Sequence, residues 1–142
     1  MDYAIRRNPR ELDSTGYIEI GPGSYAGKHW QDGFIFVWED AFGMAEGILS
    51  RHMPAYDHFG MNDIPRDIGL TVIADWRNAA DFLGDLSPTE IHTALNLAAS
   101  YHEQLESEIE THRVEIARLL RELADECEGF YRRSEWICVL GM

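Results

Sequence analysis

Histidines spaced at helical intervals from glutamates are the first candidates for metal binding or proton transfer in this chain. His102 lies four residues before Glu106, so the two side chains can share one face of a helix. The same spacing separates Glu108 from His112. Bundles that hold two iron ions use Glu-x-x-His motifs instead, and this sequence contains none. We therefore expect no metal site, and we expect partly buried histidines paired with glutamates.

A glycine-rich stretch at residues 23–28 has some features of a phosphate-binding loop. The Walker pattern requires a glycine five residues before Gly27, where this chain has Pro22. It also requires Ser or Thr after Lys28, where the chain has His29. Because the next element reads as a strand, no helix N-terminus is available for a phosphate, and we expect a hairpin loop.

The cysteines and serines of the chain give no sign of nucleophilic catalysis. Cys127 and Cys138 are the only cysteines, too few and too far apart for a zinc knuckle, and we expect two buried, reduced thiols. Neither lies in a nucleophile motif, and the chain has no Gly-x-Ser-x-Gly elbow. We therefore expect a protein that is not an enzyme and that binds no cofactor.

The net charge limits the kinds of molecule that this chain is expected to bind. The 142 residues include 25 Asp and Glu against 12 Lys and Arg, for a formal net charge of −13. Phosphate recognition depends on Lys and Arg, so neither nucleic acid nor an anionic membrane is expected as a partner. A surplus this large costs stability through self-repulsion, which favours a basic protein or a cationic ligand as the partner. The N-terminus has no apolar signal region and no window could span a membrane, so we expect a cytoplasmic protein.

Residues 52–67 form the segment that we expect to meet that partner. Its sixteen residues have no clear period, and loops of this length are often functional. The segment mixes aromatic residues and methionines with aspartates, a combination suited to a basic surface. The alternative is an irregular segment that packs its apolar residues on the sheet. The predicted contact residues are Glu39, Asp40, Tyr56, Asp57, Asp63 and Asp67, with Asp75 and Trp76 as second choices.

Length and hydrophobic patterning predict one α+β domain over residues 1–142, with a small, mostly antiparallel sheet and helices packed on it. The helices include a long C-terminal helix or helical hairpin. Strands are predicted at residues 16–20, 33–38, 68–74 and 135–140, with an edge strand within residues 2–7. Helices are predicted from Glu39 to before Pro54 and over about residues 75–83.

A capping box marks the start of the longest helical pattern, at residues 87–90 (Ser-Pro-Thr-Glu). Apolar residues then repeat at spacings of four and three from Ile91 to Leu123, which is a heptad pattern. One helix over residues 88–128 would be about 60 Å long, longer than a domain of this size. We expect a projecting helix or a break near residues 107–111, with pairing to a second copy as the rival.

The chain resembles the immunity proteins of bacterial polymorphic toxin systems. The resemblance lies in its size, its acidity and residues 33–42 (GFIFVWEDAF), which lead into a helix and an aromatic, acidic loop. Such proteins are made beside a toxin, for example a type VI secretion or contact-dependent inhibition effector, and block it by tight binding. The resemblance implies a cognate toxin that acts in the cytosol on nucleic acids or nucleotides and is basic around its active site.

An adaptor or regulatory protein from another class is the alternative. In that interpretation the heptad helix forms a homodimer or receives a partner helix. An obligate dimer that depends on Leu105, Ile109 and Ile116 would favour it.

Overall fold

The computed structural model describes residues 1–107 and 109–141, without the side chains of residues 104, 105 and 109. The strands are β1 (Ile5–Arg6), β2 (Tyr17–Pro22), β3 (Ile35–Trp38), β4 (Met61–Pro65) and β5 (Trp136–Leu140). The α-helices are α1 (Glu39–His52), α2 (Arg66–Phe82), α3 (Pro88–Leu95), α4 (His102–Ser107) and α5 (Ile109–Tyr131). Short 3-10 turns cover Pro9–Glu11, Leu83–Asp85 and Ala99–Tyr101.

The five strands form one antiparallel sheet in the order β1-β3-β2-β5-β4. Ile18 lies opposite Val37, and Ile20 lies opposite Val139, so the alternating aliphatic residues of neighbouring strands share one face. That face packs against the helices to form the main core. The predicted α+β class with an antiparallel sheet, a long helix near the C-terminus and β1 as a short edge strand is confirmed.

The opposite face of the sheet carries a smaller aromatic core. Phe36, Cys138 and Leu140 are buried there together with Phe34. Residues 23–34, which join β2 to β3, supply part of the cover, so the glycine-rich stretch is the predicted hairpin loop. Both faces of the sheet are therefore covered, by helices on one side and by a loop on the other.

The strand predicted at residues 68–74 is wrong, because these residues belong to α2. Ile68, Val72 and Ile73 favour a strand by local propensity. In the structure, Val72, Ile73 and Trp76 share the buried side of α2 at helical spacing, whereas Leu70 is exposed. Burial against the rest of the core outweighs the weak preference of β-branched residues for strands.

The irregular segment predicted at residues 52–67 contains a strand, β4. Its sequence, Met-Asn-Asp-Ile-Pro, has little strand propensity, since Asn, Asp and Pro are all depleted in strands. Asn62 and Ile64 are nonetheless buried against the sheet. Pairing with β5, more than seventy residues further along the chain, decides the conformation of this segment.

The capping box is confirmed: the Ser87 hydroxyl accepts from the Glu90 N–H, and the Glu90 carboxylate accepts from the Ser87 N–H. The helix that it starts ends after only eight residues, at Leu95, with Asn96 in the left-handed conformation. The heptad pattern is therefore interrupted at residues 96–101, upstream of the break that the sequence predicted. Residue 108 lies outside the described residues.

Five of the heptad positions with described side chains belong to the core of the chain itself, whereas Ala98 and His102 are exposed. Ile91, Leu95, Ile116, Leu119 and Leu123 are all fully buried in the main core. The side chains of Leu105 and Ile109 lie outside the described ones. The repeat reflects separate helices packed on one sheet, so its buried residues do not offer a seam to a second copy.

The two cysteines are buried free thiols, as predicted, with Cys127 on α5 and Cys138 on β5. Burial, with a contribution from Glu126, raises the pKa of the Cys127 thiol to about 12, which makes it a poor nucleophile. Within the described part of the chain, no helix combines the length and the apolar character that crossing a membrane would require.

Candidate partner-binding site

A cleft of about 390 Å³ lies between α1, residues 53–60 and residues 96–101. Gly43 and Glu46 on α1 line one side, Tyr56 and His58 line the second, and Tyr101 lines the third. Glu46 lines this cavity, Glu39 bonds the lining residue His58, and the charges of Asp40 and Asp57 act on the lining tyrosines. The cavity with these four carboxylates is called the acidic cleft below.

His58 connects residues 53–60, called the loop of the cleft, to α1. Its Nδ1 lies 2.6 Å from Glu46 Oε2, and its Nε2 lies 2.7 Å from Glu39 Oε1. Carboxylates only accept, so both ring nitrogens donate at once only when the imidazole is protonated. Burial alone would lower the pKa of His58, but the hydrogen bonds and charges of Glu39 and Glu46 outweigh it and raise the pKa. The two glutamates therefore favour the protonated form of His58.

Two tyrosines, Tyr56 and Tyr101, add polar groups to the lining of the cleft. The Tyr56 hydroxyl donates to Glu46 Oε2 at 3.1 Å. Burial and the charges of Glu46, Asp40 and Glu39 raise the pKa of Tyr101 to about 12. The phenols consequently stay neutral and present aromatic rings beside carboxylates.

Two glycines of α1 allow residues 96–101 to approach the helix closely. A side chain at Gly43 would overlap the Tyr101 hydroxyl, and one at Gly47 would overlap the carbonyls of Leu95 and Asn96. The Asn96 amide also donates to the Gly47 carbonyl at 3.0 Å. The glycines that weaken α1 as a helix in sequence terms are thus the positions that let the third wall of the cleft form.

The loop of the cleft is ordered by its own side chains. Asn62 Oδ1 accepts from the Asp57 N–H at 2.9 Å, and Asp57 Oδ1 accepts from the Phe59 N–H at 3.0 Å. Asn62 also donates to the Val139 carbonyl on β5. These bonds hold Asp57 and the 70% exposed ring of Phe59 at the surface.

The structure brings four of the predicted contact residues together. Glu39, Asp40 and Tyr56 lie in or beside the acidic cleft, and the charge of Asp57 acts on the Tyr56 phenol. Asp40 and Asp57 are exposed. These residues come from the start of α1 and from the loop before β4, two segments that the sequence separates by most of a helix.

Two other predicted residues flank the edge of the sheet. Asp63 lies on β4, where one carboxylate oxygen accepts from the Tyr25 N–H at 2.7 Å. Asp67 is exposed in the first turn of α2, beside Leu70 and Trp136. Asp57, Asp63 and Asp67 therefore lie before, within and after β4, respectively.

The second-choice residues do not belong to this surface. Asp75 is paired with His52 in a separate cavity of about 330 Å³. Trp76 is only 2% exposed, and its Nε1 donates to the Ala45 carbonyl at 3.0 Å. The prediction of Trp76 as a contact residue is therefore wrong, because the helix that carries it turns the indole into the core.

Sequence reasoning missed Glu46, His58 and Tyr101. Glu39 and Glu46 are seven residues apart on a predicted helix, a spacing that places both on one face and could have indicated the pair. His58 has no such signal, since it lies in a loop without a period. Tyr101 was hidden within the heptad region that reads as one helix.

Of the two histidine–glutamate pairs predicted on the long helix, the pair of Glu108 with His112 lies outside the described residues, because residue 108 is not among them. His112 is buried, with Nδ1 2.7 Å from the Tyr3 hydroxyl. His102 is exposed rather than partly buried. Across residues 1–107 and 109–141, no group of three or more His, Cys, Asp or Glu residues is placed to hold a metal ion.

His102 instead stacks on His92, with ring centroids 3.7 Å apart. His92 is only 9% exposed, and neither of its ring nitrogens has a hydrogen-bond partner among the described residues. Burial and the neighbouring His102 lower its pKa, against a smaller opposing effect of Glu106. His92 lies on α3, directly before residues 96–101, which form the third wall of the cleft.

No family model, curated protein or solved structure matches this chain.

Proposed function

We propose that this chain is an immunity protein that binds and neutralises a cognate bacterial toxin through the surface around the acidic cleft. The toxin is basic and acts in the cytosol on nucleic acids or nucleotides, as in the type VI secretion and contact-dependent inhibition systems. The observation that carries the proposal is the grouping of four carboxylates with Tyr56 and Tyr101 around one open cleft.

The chemistry of the cleft suits an arginine or lysine side chain of a partner. Among the residues that the structure describes, Glu39 and Glu46 share one ion-pair partner, His58. Asp40 and Asp57 form no salt bridge with any described residue and remain exposed. A guanidinium can stack on a tyrosine ring while it donates to a carboxylate, and such contacts are typical centres of binding energy.

The charge of the whole chain supports the same kind of partner. A net charge of −13 attracts a basic surface over a distance and can raise association rates by about 10- to 1,000-fold at low salt. An inhibitor that must capture a toxin before it acts gains most from a fast association rate. The acidic cleft then supplies the short-range contacts that slow dissociation.

Growth protection tests the proposal. The C-terminal domain of the protein encoded directly upstream is expressed in bacteria alone and together with this chain. We expect growth arrest by that domain and its relief by the chain. A domain that does not arrest growth, or an arrest that the chain does not relieve, would contradict the proposal.

A charge variant tests the cleft itself. Asp40→Lys combined with Asp57→Asn changes the charge of the cleft, while the amide oxygen introduced by the second substitution keeps a side-chain acceptor for the turn. Glu11→Lys combined with Asp32→Asn makes the same change in net charge at exposed positions outside the cleft. We expect the cleft variant to slow association at least tenfold at low salt and to abolish protection, whereas the control stays within about twofold. Equal loss in both variants would remove the cleft from the proposal.

A further inference from the structure

The outer edge of β4 is an unpaired edge of the sheet. β4 is the last strand in the sheet order, and its only strand partner among the described residues is β5. Two backbone bonds extend this ladder beyond the strand: Gly141 N–H donates to the Gly60 carbonyl at 2.7 Å, and Arg66 N–H donates to the Glu135 carbonyl at 3.0 Å. These bonds fix which residues of β4 face β5.

Backbone groups in an antiparallel ladder alternate between the two sides of each strand. Since Gly60 and Arg66 bond towards β5, the even-numbered residues of β4 do so as well. Met61, Asp63 and Pro65 therefore point their backbone groups away from the sheet. Met61 and Asp63 offer an N–H and a carbonyl each, which is a short template for a further strand. The Pro65 carbonyl already accepts from the Tyr131 hydroxyl at 3.5 Å.

Exposed apolar side chains surround this edge. Phe59 is 70% exposed and Met61 is 58% exposed. Leu70 and Trp136, 43% and 40% exposed, form a groove of about 450 Å³ with Pro65. Large apolar side chains grouped beside a free strand edge are typical of an interaction surface rather than of a solvated one.

The charges at this edge select the kind of strand that it can accept. Asp57 precedes β4, Asp63 lies on it and Asp67 follows it. Antiparallel pairing of β4 with the β4 of a second copy would bring these aspartates of both copies together, between two chains of charge −13. A second copy is therefore disfavoured, and a basic strand is favoured.

We propose that the free edge of β4 accepts an extended, lysine- or arginine-rich segment of the toxin as a sixth strand of the sheet. The inference rests on the proposed function, because it names the part of the cationic partner that this edge holds. Main-chain bonds to Met61 and Asp63 supply affinity, the three aspartates select basic side chains, and the groove beside Trp136 holds an apolar one.

A peptide tests the sixth strand directly. The probe is an acetylated seven-residue peptide of alternating valine and lysine, and its control has glutamate in place of lysine. At saturation we expect amide hydrogen exchange at Met61 and Asp63 to slow at least tenfold, while Asn62 and Ile64, already bonded to β5, change little. Absence of binding, binding of the glutamate peptide equally well, or binding without this protection would overturn the proposal.

A proline variant locates the main-chain contact. Met61→Pro removes one outward N–H at an edge position, where proline is tolerated, and Met61→Ala removes the side chain but keeps the N–H. We expect the proline variant to bind the peptide at least tenfold more weakly than the alanine variant. A valine–lysine peptide that is N-methylated on both of its edges should fail to bind the unaltered protein, which keeps the test decisive if the proline variant does not fold.

The same variants separate this inference from the proposed function. If Met61→Pro protects cells from the toxin as well as Met61→Ala does, and Met61 and Asp63 exchange freely in the complex, the sixth strand is rejected while the acidic cleft stands. If the upstream domain is not a toxin but the peptide binds as described, the edge is a strand-binding site and the proposed function is rejected.

Discussion

His58 lines the acidic cleft, His92 lies directly before the residues that form the third wall of that cleft, and the environments of the two histidines are opposite. His58 has a carboxylate on each ring nitrogen, which raises its pKa. His92 is buried against His102 with no hydrogen-bond partner among the residues that the structure describes, and its pKa is lowered. The charge of a histidine in this protein is therefore set by what tertiary packing places beside it.

The difference has a structural meaning for the cleft. His58 joins residues 53–60 to α1 through charged hydrogen bonds, whereas the wall that follows His92 is held by close packing on Gly43 and Gly47. One wall depends on ionisation and the other on burial. The two walls should consequently respond in opposite directions to substitution and to pH.

Removal of His58 should have the largest effect. His58→Leu deletes two charged hydrogen bonds and leaves Glu39 and Glu46 facing each other, so the free energy of unfolding should fall by about 2 kcal/mol at pH 6. Chemical denaturation measures it. In a Glu39→Gln background the same substitution should cost less, because the repulsion is gone. A loss that is unchanged in that background would contradict the repulsion between Glu39 and Glu46.

Removal of His92 should have a smaller effect of the opposite sign. His92→Leu keeps an apolar side chain of similar size and eliminates two buried ring nitrogens without partners, so stability should rise by about 1 kcal/mol at neutral pH. The control, His92→Ala, leaves a cavity and should destabilise. If the leucine variant is as unstable as the alanine variant, the His92 nitrogens have partners after all.

The pH dependence should show the smallest effect. For His58, whose pKa is raised in the folded state, the stabilising contribution is complete below the usual value of about 6.5 and disappears as the pH rises through the raised pKa. For His92, whose pKa is lowered, stability is complete above about 6.5 and falls as the pH falls below it. NMR titration of the ring protons should give a midpoint above 6.5 for His58 and below 6.5 for His92. The reverse order would refute the comparison.

Elements whose cause is local could be predicted from the sequence. The capping box at Ser87 and Glu90 involves groups three residues apart, and the alternating strand β2 carries its own pattern. Strand β4 and the true extent of α2 could not be predicted, because their local propensities point the other way. Pairing with β5 and burial of Val72 and Trp76 decide them.

The candidate site likewise has features that the sequence predicts and features that it does not. Its acidity, its aromatic residues and the choice of Glu39, Asp40, Tyr56 and Asp57 follow from the sequence, since charge and residue type are properties of the chain itself. The sequence could not reveal that Glu39 and Glu46 bond both ring nitrogens of His58, because this contact forms only when residues 53–60 fold back onto α1.

Composition and short-range spacing by themselves determined the net charge of the chain, the fold class and the helix start at Ser87. Tertiary structure alone decided that Trp76 is buried, that the pKa of His58 is raised and that of His92 is lowered, and that the backbone of Met61 faces outwards. The physical reason is the separation along the chain of the groups that interact. Net charge and capping need no distant neighbour, whereas burial, pKa and strand pairing are set by atoms that the chain brings together only when it folds.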